Sequence, residues 1–104
     1  MPQIVGDFAS GRVWINGREL FPSKSQKVRN HSPDGFSWGY GGSGPAQLSL
    51  AVLLEYFPRD IAVQNYQDFK WKVISRLPQS DFNIYIHPQD MVTEQEEGNG
   101  SGDI

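Results

Sequence analysis

Histidine, serine, tyrosine and tryptophan crowd into one segment of this chain, Asn30–Gln47, among five glycines and two prolines. Within it, Gly39-Tyr40-Gly41-Gly42-Ser43-Gly44 matches G-x-G-x-x-G, and Asp60 follows roughly twenty residues on, as a dinucleotide fingerprint would have it. The context does not fit. The ribose-binding acid of such a site ends a second parallel strand, whereas Asp60 follows Pro58 at a helix start, and the chain is too short for repeated βαβ units. A P-loop is excluded because no Lys-Ser/Thr pair follows Gly44. A simpler chemistry is left. Backbone N–H groups at a helix start, backed by the helix dipole, attract anions, and successive glycine N–H groups can form a concave nest. N–H groups from Gly41 to Ala46 would hold an anion or nucleotide phosphate. The candidate ligand-binding residues are Arg29, His31, Ser32, Trp38, Tyr40, Gly41, Gly42, Ser43, Gly44 and Gln47, with Trp38 or Tyr40 as a stacking face. The competing reading is that the glycines only let the chain turn tightly into a buried helix.

Nucleophilic catalysis finds less support. A nucleophile elbow needs G-x-S-x-G, but Gly41-Gly42-Ser43-Gly44-Pro45 puts proline in the last position. His31 with Ser32 or Ser43 would need a carboxylate from Asp34, Asp60 or Asp68, and Asp34 belongs to a Ser32-Pro33-Asp34-Gly35 turn. His31 therefore reads as a brace of the loop. His31 and His87, in a chain without cysteine, give no metal-ligand cluster, so no metal, no cofactor and no catalytic residue is expected.

The elements that must position this segment follow from pattern. Asn16-Gly17 between Arg12–Ile15 and Arg18–Leu20 is a hairpin signal, since both residues tolerate the positive φ of a type I′ turn. Ile4–Phe8 supplies another strand, polar Pro22–Asn30 reads as a loop, and Phe36–Tyr40 as a short strand. Pro45–Phe57 is apolar almost all round, the mark of a buried helix, and Pro58 stops it. Ala62, Tyr66, Phe69, Val73 and Leu77 place a stripe on a second helix, about 59–77, that leaves Trp71 off the buried face. Phe82–Ile86 alternates as a strand, and Pro88–Thr93 forms a further turn. The expected fold class is α+β: a small antiparallel sheet (the N-terminal hairpin plus strands near 36–40 and 82–86) packed on a two-helix hairpin (about 45–57 and 59–77). Residues 1–93 form the domain, and 94–104 a disordered acidic tail.

Charge narrows the partners. The net charge of −3 comes from Glu94, Glu96, Glu97 and Asp103, and the rest of the chain is near balance. Five basic residues, Arg12, Arg18, Lys24, Lys27 and Arg29, precede the glycine segment, a mildly basic face too weak for general nucleic-acid binding. No run approaches the roughly 20 apolar residues of a membrane span, and Met1–Asp7 lacks the pattern of a signal peptide. A cytoplasmic setting with no membrane partner is expected; the oligomeric state is not legible.

The run His31-Ser32-Pro33-Asp34-Gly35-Phe36, continued by Trp38-Gly39-Tyr40-Gly41-Gly42-Ser43-Gly44-Pro45-Ala46-Gln47-Leu48, resembles the hallmark of a domain-of-unknown-function family of small bacterial, plasmid and phage proteins. Val13–Leu20 and Tyr66–Lys72 are similar to it as well. The resemblance implies a mobile-element setting, in which small cysteine-free acidic proteins act as inhibitors of host factors, and it brings no activity. The expected function is a non-enzymatic binding protein, phage- or plasmid-encoded, working through the glycine loop on an anionic small molecule, a nucleotide or a host protein. The alternatives are a small hydrolase using His31 with a serine, and a structural or regulatory domain in which the motif only maintains the fold.

Overall fold

The structure, a computed structural model, describes residues 1–93; the expected acidic tail, 94–104, lies outside the described residues. In chain order the elements are β1 (Gln3–Asp7), β2 (Arg12–Ile15), β3 (Arg18–Leu20), a short α1 (Ser23–Val28), α2 (Ser43–Tyr56), α3 (Arg59–Lys72) and β4 (Phe82–Tyr85), with 3-10 turns at Ile74–Arg76 and Pro88–Asp90. The four strands form one antiparallel sheet in the order β3-β2-β1-β4, and the fold class is α+β as the sequence pattern predicts.

Register and pleat put one apolar set on one face. Ile4 stands opposite Ile15 and Ile84, Gly6 opposite Val13 and Phe82, and Val13 opposite Leu20. Side chains two apart along a strand share a face, and Ile4, Val13, Ile15, Leu20 and Phe82 are all buried. They join the buried side chains of α2 and α3 in a single core. Every residue of α2 from Gly44 to Leu54 is buried, the outcome expected of a helix apolar on all sides. On α3 the stripe is realised at Ala62, Tyr66 and Phe69, with Val73 and Leu77 partly buried beyond its end. Ser49 on α2 donates its hydroxyl to the Tyr66 carbonyl, an interhelical bond inside the core.

Three local expectations are corrected. Phe36–Tyr40 is not a strand. Its Gly39 has φ 86° and donates its N–H to the Ile74 carbonyl at 3.1 Å, while the Trp38 indole donates to the Ser80 carbonyl at 2.8 Å. The segment is thus pinned to the turn after α3 and adds nothing to the sheet. Pro22–Asn30 is not all loop: Ser23–Val28 is helical because its polar groups find partners inside the protein, among them Ser25 Oγ donating to the Pro22 carbonyl at 2.8 Å. The second helix stops at Lys72, where Val73 leaves helical geometry (φ −125°, ψ −60°) and turns Ile74 into the core.

The hairpin follows its turn chemistry. Asn16 (φ 51°) and Gly17 (φ 81°) both take positive φ, and the Asn16 carboxamide accepts the Gln3 N–H at 2.9 Å. Nothing lies within 4 Å of a Cβ built on Gly17, so only backbone strain opposes a side chain there. Gly17→Ala is expected to cost about 1 kcal/mol in chemical denaturation, without a change in the dependence on denaturant.

Candidate functional site

The segment from Arg29 to Gln47 is organised by a buried side chain, Gln47, in the second turn of α2. Its Oε1 accepts the N–H groups of His31 at 2.7 Å and Ser32 at 2.9 Å; its Nε2 donates to Ser25 Oγ at 2.8 Å and the Arg29 carbonyl at 3.0 Å. Gln47 is fully buried, and both amide hydrogens and both lone pairs are spent. The sequence placed it among ligand helpers; it is an internal bracket with no capacity left for a ligand.

His31 and Ser32 are held by that bracket. Ser32 opens the expected turn, its carbonyl accepting the Gly35 N–H at 3.2 Å and the Gln26 amide at 2.9 Å. The His31 Nε2 lies 2.7 Å from the Tyr66 hydroxyl. Burial first, then the charges of Arg29 and Lys70, hold the imidazole below its ordinary pKa. A neutral ring protonated on Nδ1 accepts the Tyr66 hydroxyl proton at Nε2. Among the described residues no hydrogen bond joins Ser32 Oγ or Ser43 Oγ to that ring, whose partner is Tyr66, so His31 serves as the expected brace, with Tyr66 as a partner that the sequence did not reveal.

The glycine segment is shaped by packing. A Cβ on Gly44 would stand 1.9 Å from Ser37 Oγ, one on Gly42 2.5 Å from the Tyr40 ring, and one on Gly41 2.3 Å from the Trp71 ring. None of the three has positive φ. The Gly42 N-cap offers no side-chain acceptor, and Ala46 is the first to bond back, its N–H donating to the Gly42 carbonyl at 3.1 Å. Among the described residues, the N–H groups of Gly41, Gly42, Ser43 and Gly44 have no hydrogen-bond partner. Gly41 and Ser43 are exposed and Gly42 half-exposed.

Two candidates lie elsewhere. Trp38 is fully buried, edge-on to Phe82 with ring centroids 4.8 Å apart, so it is a core residue and no stacking face. Arg29 borders a surface groove with Val28, Arg59, Asp60 and Val63, at the opposite end of α3 from Trp71. Between Val63 and Trp71 the helix rises about 12 Å. Tyr40 remains exposed beside the loop, its hydroxyl 2.8 Å from Ser37 Oγ. Trp71, off the stripe as expected, is 55% exposed. Lys70 escaped sequence reading, although its position four residues after Tyr66 gives it the same helix face. It is only 8% exposed, and its Nζ lies 4.2 Å from the centre of the Trp71 ring. Among the described residues no three His, Cys, Asp or Glu side chains gather where they could hold a metal, and no helix is long and apolar enough to cross a membrane.

A family model, that of the family of unknown function DUF6166, matches residues 5–96, and the chain belongs to that family. No curated protein and no solved structure matches the chain.

Two measurements probe the bracket. Gln47→Leu removes the acceptor of two part-buried N–H groups and the donor to Ser25 Oγ and the Arg29 carbonyl, and at about 1–3 kcal/mol per unsatisfied group the expected loss is at least about 2 kcal/mol in urea denaturation. For His31, the unfolded chain takes up its proton near pH 6.5, whereas the folded chain does so only at lower pH. Between these values unfolding binds a proton, so stability falls as the pH drops below about 6.5. His31→Asn should remove that slope. Glu19 and Asp68, both held below the ordinary carboxylate range, lose their stabilising contribution only at lower pH, in a separate window.

Proposed function

We propose that this chain is a non-enzymatic binding protein whose ligand is an anion seated on the N-terminus of α2. One observation carries this reading: a run of consecutive backbone N–H donors, from Gly41 through Ser43, has no partner among the described residues and belongs to exposed or half-exposed residues at a helix start. Such donors, with the dipole behind them, favour an anion by roughly 0.3–2 kcal/mol before any side chain contributes. Exposed Tyr40 and Trp71, packed against Gly42 and Gly41, offer flat apolar faces beside those donors, and a nucleotide carries both a phosphate and a ring to use them. The non-enzymatic part of the reading is supported by His31, whose ring is engaged by buried Tyr66 and, among the described residues, hydrogen-bonds to no serine.

The same exposed aromatic pair supports a second reading, in which the face contacts a host protein in the phage- or plasmid-borne setting that the motif implies, within the cytoplasm that a chain without cysteine suits. Tyr and Trp are enriched where protein interfaces concentrate their binding energy.

Calorimetric titration of the folded protein with nucleoside mono-, di- and triphosphates and inorganic phosphate separates the two. Saturable heat from at least one of them is expected. Absence of heat from all of them removes the anion reading and leaves the protein-contact one, for which Trp71→Ala should abolish binding to the partner at unchanged stability.

A further inference from the structure

Lys70 has no counter-charge among the described residues. It is 8% exposed, yet among the described residues its ammonium makes neither a hydrogen bond nor an ion pair; the ion pairs join Arg12 to Glu19, Arg18 to Glu55 and Lys72 to Asp68. Its contact is the Trp71 ring, 4.2 Å away. A cation on an aromatic face recovers part of the lost hydration, but less than burying an ammonium takes away. Lysine is among the residues least often buried unless paired, so the partner is to be sought outside the described groups.

Its position says where that partner sits. The Trp71 ring that receives the ammonium also lies on Gly41, its Cζ3 and Cη2 atoms 2.3 Å from where a Cβ on Gly41 would stand. The ammonium thus shares the Trp71 ring with Gly41, the first of the unpartnered N–H groups of Gly41, Gly42 and Ser43 that lead into α2. Resting on the reading of that helix end as an anion site, we propose that Lys70 is its cationic anchor and that the ligand is a phosphate monoester. The donor set favours phosphate over carboxylate. Three unpartnered N–H groups, the Ser43 hydroxyl and an ammonium with three hydrogens outnumber what two carboxylate oxygens accept, and they match three terminal phosphate oxygens. A unit cation together with the partial positive charge of a helix end balances a group carrying between one and two negative charges.

Calorimetry and thermal melts of the full chain with AMP, ribose 5-phosphate, inorganic phosphate and acetate test this, for the wild type, Lys70→Met and Lys70→Gln. The expected result is that the phosphates bind the wild type and raise its Tm, acetate does neither, and both substitutions weaken phosphate binding at least tenfold. Without ligand, Lys70→Met should melt no lower than the wild type, because an apolar chain of similar length replaces an unpaired buried charge. Lys70→Gln keeps the test open if the methionine variant does not fold. AMP binding more tightly than ribose 5-phosphate assigns the nucleotide as source, with its base on Trp71 or Tyr40; equal affinities assign the phosphate alone, and either supports the proposal. Phosphate affinity within twofold of wild type in the folded Lys70 variants overturns the role of Lys70 and leaves the helix-end reading standing. Acetate binding as tightly as phosphate overturns the ligand class. A wild type that binds none of the four anions overturns the helix-end reading itself.

Discussion

A single amide holds together the half of the molecule that carries the candidate site. Gln47 lies where an apolar helix meets a polar segment, and only a carboxamide, that of Asn or Gln, presents two donors and two acceptor sites in one neutral planar head. Its four bonds join α1 through Ser25, the strand-like stretch after it through Arg29, and the opening of the His31 turn. Each partner is a group that would be costly to bury alone. The helix can therefore be apolar from Gly44 to Leu54 and still receive a chain segment made of serine, lysine, glutamine and asparagine, because the polar demands of that segment converge on one residue.

The parts of the fold legible in sequence are those decided by local chemistry. Asn16-Gly17 specifies its turn, Pro58 separates the helices, and the Ala62–Phe69 spacing orients α3; these hold because propensity and burial agree. The misread parts are those where a distant group decides. Phe36–Tyr40 has strand composition, but Ile74 and Ser80 claim its donors. Ser23–Val28 has loop composition, yet Gln47 accommodates it as helix. At the candidate site the glycines, His31 and exposed Trp71 were visible from the sequence alone. The duties of Gln47, Trp38 and Lys70 were not, since a buried glutamine, tryptophan or lysine carries the same letter as an exposed one.

The glycines divide their labour in a way that a motif cannot express. Gly39 is required for its backbone angle; Gly41, Gly42 and Gly44 are required because Trp71, Tyr40 and Ser37 occupy the space of a side chain. Close packing and open donors arise together. A residue with a side chain at 42 could cap the helix from within, whereas glycine there admits Tyr40 and leaves the first turn of α2 uncapped. The structural and the ligand-binding readings of the loop are thus compatible.

The strand order has a consequence for how the chain assembles during synthesis. β1 pairs with β2 across a short turn, but its other edge waits for β4, with Gln3 opposite Tyr85. Until the last strand emerges, Ile4 and Gly6 border an unfinished sheet, and Trp38 lacks both the Phe82 ring and the Ser80 carbonyl that fix its indole. The entropy of closing so long a loop grows only logarithmically with its length, yet the contact cannot form before those residues exist. A nascent chain halted near Arg76 would have its hairpin and both long helices complete in sequence, with one wall of the core still missing.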